Sequence, residues 1–307
     1  MNKISPTRAL YIKLGHGGEW EKECLLQTQT LRLGFIEADH QSCLRGEWDK
    51  VTEQLHYIQD AGARIRAVNQ IREFYEAGED VLWVTFYANK LWWCSSKPKI
   101  DQLPDGTKTR PVIGKWKNSD ISENTLSMDK LSGRLLSMQG YRGTICSVRE
   151  FDYLVNKING ILSPRVREAE NAYSNLIVKL EPLIRDLHWR DFETLIDLIF
   201  HQAGWQRMGK VGGAQKTLDL DLFSPITNER YAVQIKSQAD QTTFDEYRRR
   251  FEDLKGDYDR FYFIVHSPHD NLFQTEEQDD FKLILPKDIA RLAVKYGLAE
   301  WIISKAA

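Results

Sequence analysis

Two acidic residues, Asp219 and Asp221, alternate with leucines in the run Leu218-Asp-Leu-Asp-Leu222, and after a turn at Pro225 to Arg230 a second run, Tyr231-Ala-Val-Gln-Ile-Lys236, carries Gln234 and Lys236. Alternate residues of a strand share a face, so this spacing predicts Asp219 with Asp221 on one side and the three leucines on the other. By the same rule Gln234 and Lys236 share a face, opposite Tyr231, Val233 and Ile235. Neighbouring strands lie only about 5 Å apart, so the acids, the amide and the ammonium can reach one ligand if the two runs pair. Oxygen donors at one locus suit a hard divalent cation, Mg²⁺ with Mn²⁺ as a substitute. Such an ion polarises a phosphoryl oxygen and acidifies a bound water, and a lysine beside it can orient that water or stabilise charge building on phosphorus. The implied chemistry is hydrolysis of a phosphodiester.

The elements that must position these groups follow from periodicity. Phe192, Leu195, Ile196, Ile199 and Phe200 fall on one face of a helix that Gly204 can stop, and Glu193 lies at the edge of that face. A loop with Gly209, Gly212 and Gly213 leads to the first strand. After the second strand comes a helix with Phe244, Tyr247, Phe251 and Leu254 at its seam, then an apolar strand, Phe261 to Val265. The order is helix, strand, strand, helix, strand.

Glu193 within Asp191-Phe-Glu-Thr-Leu195, Asp221 within Leu220-Asp-Leu222, and Gln234-Ile-Lys236 placed thirteen residues after Asp221 resemble the PD-(D/E)XK nuclease superfamily. More narrowly they are similar to the Mrr-like branch of restriction endonucleases, where glutamine replaces the usual second acid. The resemblance covers about Trp189 to Val265 and says nothing of the first half. It implies a restriction-endonuclease-like αβα sandwich with a mixed central sheet. It also implies Asp221 as principal metal ligand, the backbone carbonyl of Ile235 as a second, and Glu193 binding or orienting the ion through water. Lys236 would position the attacking water, and Gln234 would hold a metal-bound water or the phosphate. Asp219 points the same way as Asp221 and stands as the alternative ligand. The acidic residue often found in the family's glycine-rich approach is replaced here by Gly212-Gly-Ala-Gln-Lys216.

At 307 residues the chain is long enough for two domains, and its composition is that of an ordinary globular protein, α/β in element content and α+β overall. A net charge of −2 carries no argument from overall basicity. Cys24, Cys43, Cys94 and Cys146 are scattered without a CxxC pair, which favours neither a zinc site nor a disulfide framework. No apolar run suggests a signal peptide or membrane span, so a cytoplasmic protein without a membrane partner is expected. The first half, residues 1–148, reads as a mixed α/β recognition domain. It has strand-like runs at Leu10 to Leu14, Val81 to Phe86, Lys90 to Cys94 and Thr144 to Val148, and a long helical pattern from Trp48 to Ala77. Residues 149–188 read as a helical connector and 189–307 as the nuclease domain.

Two readings of the first-half tryptophans stay open. Most belong to a core; alternatively Trp93, of the Trp92-Trp93 pair, and Trp116 line a pocket that stacks a flipped or modified base, as in PUA-like and EVE-type readers. Arg248, Arg249 and Arg250 can meet a phosphate backbone or form a solvated helix face. His266 and His269 read as incidental. The expected activity is a Mg²⁺-dependent endonuclease of the restriction or phage-defence kind, acting on double-stranded DNA, modified DNA included, and working as a homodimer. The rivals are a nucleic-acid-binding protein with a degenerate nuclease fold, and a nuclease for RNA or branched DNA.

Overall fold

The computed structural model describes residues 3–208, 218–269 and 279–307. The chain divides into two compact units, Met1–Ser163 and Pro164–Ala307. The expected boundary at Val148 and the connector 149–188 are therefore replaced by a single break near Gly160, which has φ +61°. The physical reason is burial. Leu154 and Ile158, on the helix Phe151–Ile158, complete a core of the first unit, whereas Ile177, Leu180 and Ile184, on the helix Pro164–Asp186, belong to a core of the second.

In the first unit the strands β1 (Arg8–Ile12), β3 (Val81–Tyr87), β4 (Lys90–Cys94) and β7 (Ile145–Ser147) form a sheet in the order β4-β3-β1-β7. The β1–β3 pair is parallel and the others antiparallel. A smaller antiparallel sheet joins β2 (Thr30–Leu33), β6 (Lys108–Pro111) and β5 (Asp101–Gln102). The helices are α1 (His40–Leu44), α2 (Trp48–Gln54), α3 (Ala61–Glu76), α4 (Gly133–Leu136) and α5 (Phe151–Ile158). The single long helix expected between Trp48 and Ala77 is thus two, because Asp60 caps a new start by accepting a hydrogen bond from the Ala63 amide. Ile71, Phe74, Trp83 and Leu10 lie in one core on one side of the larger sheet, and Val84, Leu91 and Leu135 in another.

The second unit holds one five-stranded sheet in the order β12-β11-β10-β9-β8: β8 (Gln206–Arg207), β9 (Leu220–Phe223), β10 (Arg230–Ala239), β11 (Arg260–Pro268) and β12 (Phe281–Ile284). β9 and β10 pair antiparallel across the turn at Ser224 to Glu229, while β10, β11 and β12 run parallel. Parallel neighbours need a crossover, which α8 (Gln241–Leu254) supplies between β10 and β11. Helices α6 (Pro164–Asp186), α7 (Trp189–Gln202), α9 (Pro286–Lys295) and α10 (Ala299–Ala306) share a core with Leu220, Leu222, Tyr231, Val233, Ile235 and Ile264. On the opposite face Phe244 and Phe251 of α8 pack on Ala232, Phe261, Phe263, Val265 and Phe281. Helices cover both faces of a mixed sheet. The chain is accordingly mixed α and β, and no described helix is long and apolar enough to cross a membrane.

Candidate functional site

The helix α7 presents Phe192, Leu195, Ile196 and Ile199 to the core, as its periodicity requires, and ends where Gly204 adopts φ +91°. This orientation leaves Trp189, Glu193 and Asp197, spaced four residues apart, on a stripe facing a cleft of 400 Å³. The same cleft is lined by Arg190, Arg207, Asp219 and Ile235, so a helical acid and the acid just before β9 meet there.

Asp219 stands one residue before β9. Its amide donates to the Val233 carbonyl at 3.0 Å. Its Oδ2 accepts from the Ile235 amide at 2.6 Å and from the Gln234 side-chain amide. Gln234 is buried, and its Nε2 also lies 3.4 Å from the Ile235 carbonyl oxygen. One carboxylate, one amide and one backbone carbonyl are thereby gathered at the open end of the β9–β10 ladder. Burial raises the pKa of Asp219 above the ordinary aspartate value, against the lowering effects of the Ile235 hydrogen bond, Lys236 and Arg207. Glu193 is raised by burial and then by the charge of Asp219, with Arg207 and Arg190 opposing. Two carboxylates that each resist ionisation and repel one another mark a place where positive charge would be welcome.

The alternation that puts Asp219 and Asp221 on one strand face does not hold. Leu220 and Leu222 join the core beneath α7, but Leu218 packs with the core beneath α8, so the alternation breaks between Leu218 and Leu220. The cause is that Asp219 precedes the regular strand and is fixed by its bonds to β10. Asp221, expected as principal ligand, instead sits opposite Ala232, and its Oδ2 pairs with Arg230 Nη2 at 2.8 Å. Tyr258 lies near enough to Asp221 for the carboxylate, after burial, to raise its pKa. The residue that meets Glu193, Gln234 and Ile235 is Asp219, the alternative ligand of the sequence reading. Lys236 feels Asp219 electrostatically, and its ammonium rests 4.8 Å over the ring of Tyr247 from α8.

The donor set fits a hard cation that keeps several waters. Asp219, Glu193 and the Ile235 carbonyl offer oxygen only, and Mg²⁺ is commonly held by one or two carboxylates with substrate phosphate completing its shell. Among the described residues there is no cluster of three or more His, Cys, Asp and Glu side chains. The loop carrying Gly209, Gly212 and Gly213, and Gly212-Gly-Ala-Gln-Lys216 within it, lies outside the described residues.

None of the comparisons with family models, curated proteins and solved structures returned a match.

Arg248 and Arg249 lie on α8, on the far side of the sheet from α7. Arg249 is exposed and donates from Nε to the Asp245 carbonyl at 3.2 Å, Arg250 pairs with Glu246, and neither Arg248 nor Arg249 is among the residues described around the Asp219 cleft. His266 is buried, donates from Nε2 to the Leu187 carbonyl at 3.1 Å and meets Phe192 edge-on, so it ties the α6–α7 corner to β11. The base-stacking reading of Trp93 and Trp116 is corrected. Trp93 is 5% exposed and donates to the Ser119 carbonyl, and Trp116 is 4% exposed and donates to the Thr30 carbonyl. Their rings belong to cores. A half-buried tryptophan that sequence reasoning passed over, Trp20, lines a 560 Å³ cleft of the first unit with Lys13, Gly15, Gly34, Thr107 and Arg142. Arg32 stacks 4.5 Å from its ring centre, and a Cβ at Gly15 or Gly34 would come within 2.9 Å of the indole. The signal was available in the glycines on either side of it in sequence, Gly15 to Gly18 and Gly34.

Proposed function

We propose that the second unit is a Mg²⁺-dependent endonuclease of the PD-(D/E)XK, Mrr-like kind that hydrolyses DNA phosphodiesters, serving restriction or phage defence. The observation that carries this reading is the convergence of Asp219, Glu193, Gln234 and the Ile235 carbonyl at one cleft, with neither acid in an ion pair among the described residues. Helices on both faces of a mixed sheet support the αβα sandwich of that superfamily.

A bound divalent cation supplies Lewis-acid polarisation of the phosphoryl group and a more acidic water. Asp219, Glu193 and the Ile235 carbonyl would hold it. Gln234 fixes the carboxylate of Asp219 by its amide, the role that falls to a neutral residue where a third acid would add repulsion. Lys236 positions the attacking water and stabilises the charge that builds on phosphorus. The first unit recognises the DNA, and its Trp20 cleft, in place of Trp93 and Trp116, is where a base, modified bases included, would be read. A homodimer would cut both strands of a duplex.

The test is cleavage of plasmid and modified phage DNA by the full chain with and without Mg²⁺. Cutting is expected with the ion, and its loss in Asp219→Ala and Lys236→Ala proteins that keep the wild-type circular dichroism. A wild-type protein with no metal-dependent product on DNA, RNA or branched DNA would sink the reading. Tight DNA binding in that case would establish the rival, a binding protein on a degenerate nuclease fold.

A further inference from the structure

Trp189 is 48% exposed, yet it lines the cleft that holds Asp219 and Glu193. Its ring meets His188 with centroids 5.5 Å apart, and unlike the buried Trp83, Trp92, Trp93 and Trp116 it keeps indole surface open to the cleft. Helix geometry sets where it stands. Trp189 precedes Glu193 by four residues, which puts the ring one turn, about 6 Å along the axis, from that carboxyl on the same stripe. Arg190 lies beside it, its guanidinium 5.0 Å from the ring centre, and lines the same cleft with Arg207. An aromatic face, two guanidiniums and an acid pair thus follow one another along a single groove.

We propose that Trp189 stacks on a nucleobase that has left its helical stack, next to the phosphate that a cation at Asp219 and Glu193 would hold, with Arg190 and Arg207 on the adjoining backbone. The proposal rests on the hydrolase reading for the phosphate and on the placement of Trp189 for the base. In an intact duplex both faces of each base are covered by neighbours, so the indole has nothing to stack on. In a single strand, at a bulge or at an opened end, one face is free, and stacking on an aromatic ring accepts any base because all have a π-face. Planar guanidiniums suit phosphate at either side. The centre therefore favours a phosphodiester beside an unstacked base over one in continuous duplex.

The experiment measures binding by the full chain carrying Lys236→Ala, in Mg²⁺, to three labelled DNAs of one sequence: single-stranded, fully paired, and paired with a one-base bulge. Addition of Trp189→Ala is expected to weaken binding to the single strand and the bulge by roughly tenfold or more, to leave the paired duplex nearly unchanged, and Trp189→Phe to restore most of the loss. An equal loss on all three DNAs, no loss on any, or a change in sedimentation showing that Trp189 joins protein to protein would each overturn the proposal. Cleavage is not read in this assay. An inert wild-type protein would defeat the hydrolase reading and leave a Trp189-dependent preference standing.

Discussion

Each unit buries charge, and the two do it differently. In the first, Arg110 is fully buried and donates to the carbonyls of Lys97, Phe74 and Ala77, closing the carboxy-terminal end of α3; Lys108, equally buried, donates to the carbonyls of Phe35 and Ile36. Arg32 is held by Glu23, Asp105 and Thr107. In the second, Asp219 receives two hydrogen bonds and still resists ionisation, with Glu193 beside it in the same condition. Satisfied cations that end a helix are scaffold. Anions left short of positive charge in a cleft are where a ligand belongs.

The comparison would be broken most plainly by activity. Asp219→Asn should reduce Mg²⁺-dependent cleavage at least about a hundredfold, the scale on which lost electrostatic stabilisation is felt. Asp221→Asn, which touches only the Arg230 and Tyr258 side, should keep cleavage within about tenfold and lower thermal stability instead, since removing one partner leaves the other polar group poorly matched. Equal inactivation by both would return Asp221 to the site.

Next in size is the scaffold side. Arg110→Met should destabilise the first unit by about 3 kcal/mol or more in chemical denaturation, because three buried carbonyls lose their donor. A smaller effect of opposite sign is expected at the acids. A carboxyl whose pKa is raised by folding contributes stability below its unfolded pKa and loses it as pH rises through the folded one. Metal-free Asp219→Asn should therefore melt higher than wild type near neutral pH, with the gap closing toward pH 4. Added Mg²⁺ should raise the melting point of wild type and not of the variant.

The smallest effect concerns His266. Burial lowers its pKa below the usual 6.5, so the unfolded chain takes up a proton first and stability falls as pH drops below that value. His266→Gln should flatten this acid limb between pH 6.5 and 5, as followed by denaturant titration.

The sequence carried the second unit further than the first. The face of α7, the pairing of Tyr231, Val233 and Ile235, and the α8 crossover were readable because apolar periodicity reports directly on which side is buried. The choice between Asp219 and Asp221 was not. Alternation assumes a regular strand on both sides of a residue, and Asp219 lies just outside one, where tertiary hydrogen bonds decide direction. The tryptophans failed for a related reason. A ring's type says that it is large and apolar, and only the backbone around it, glycines at Trp20 and a sheet at Trp93, settles whether one edge stays accessible. The connector was misjudged because two helices in sequence look alike whether they bridge two cores or complete one each.

The bond from the Ile235 amide to Asp219 has one further outcome. It fastens the hairpin at the end far from its tip, so strand alignment is decided at the centre itself. Ile226 at that tip is 92% exposed, and the connection around it is free to lengthen, shorten or carry an inserted peptide without moving the carboxylate. A label or affinity handle placed there would travel with the protein and leave its chemistry alone.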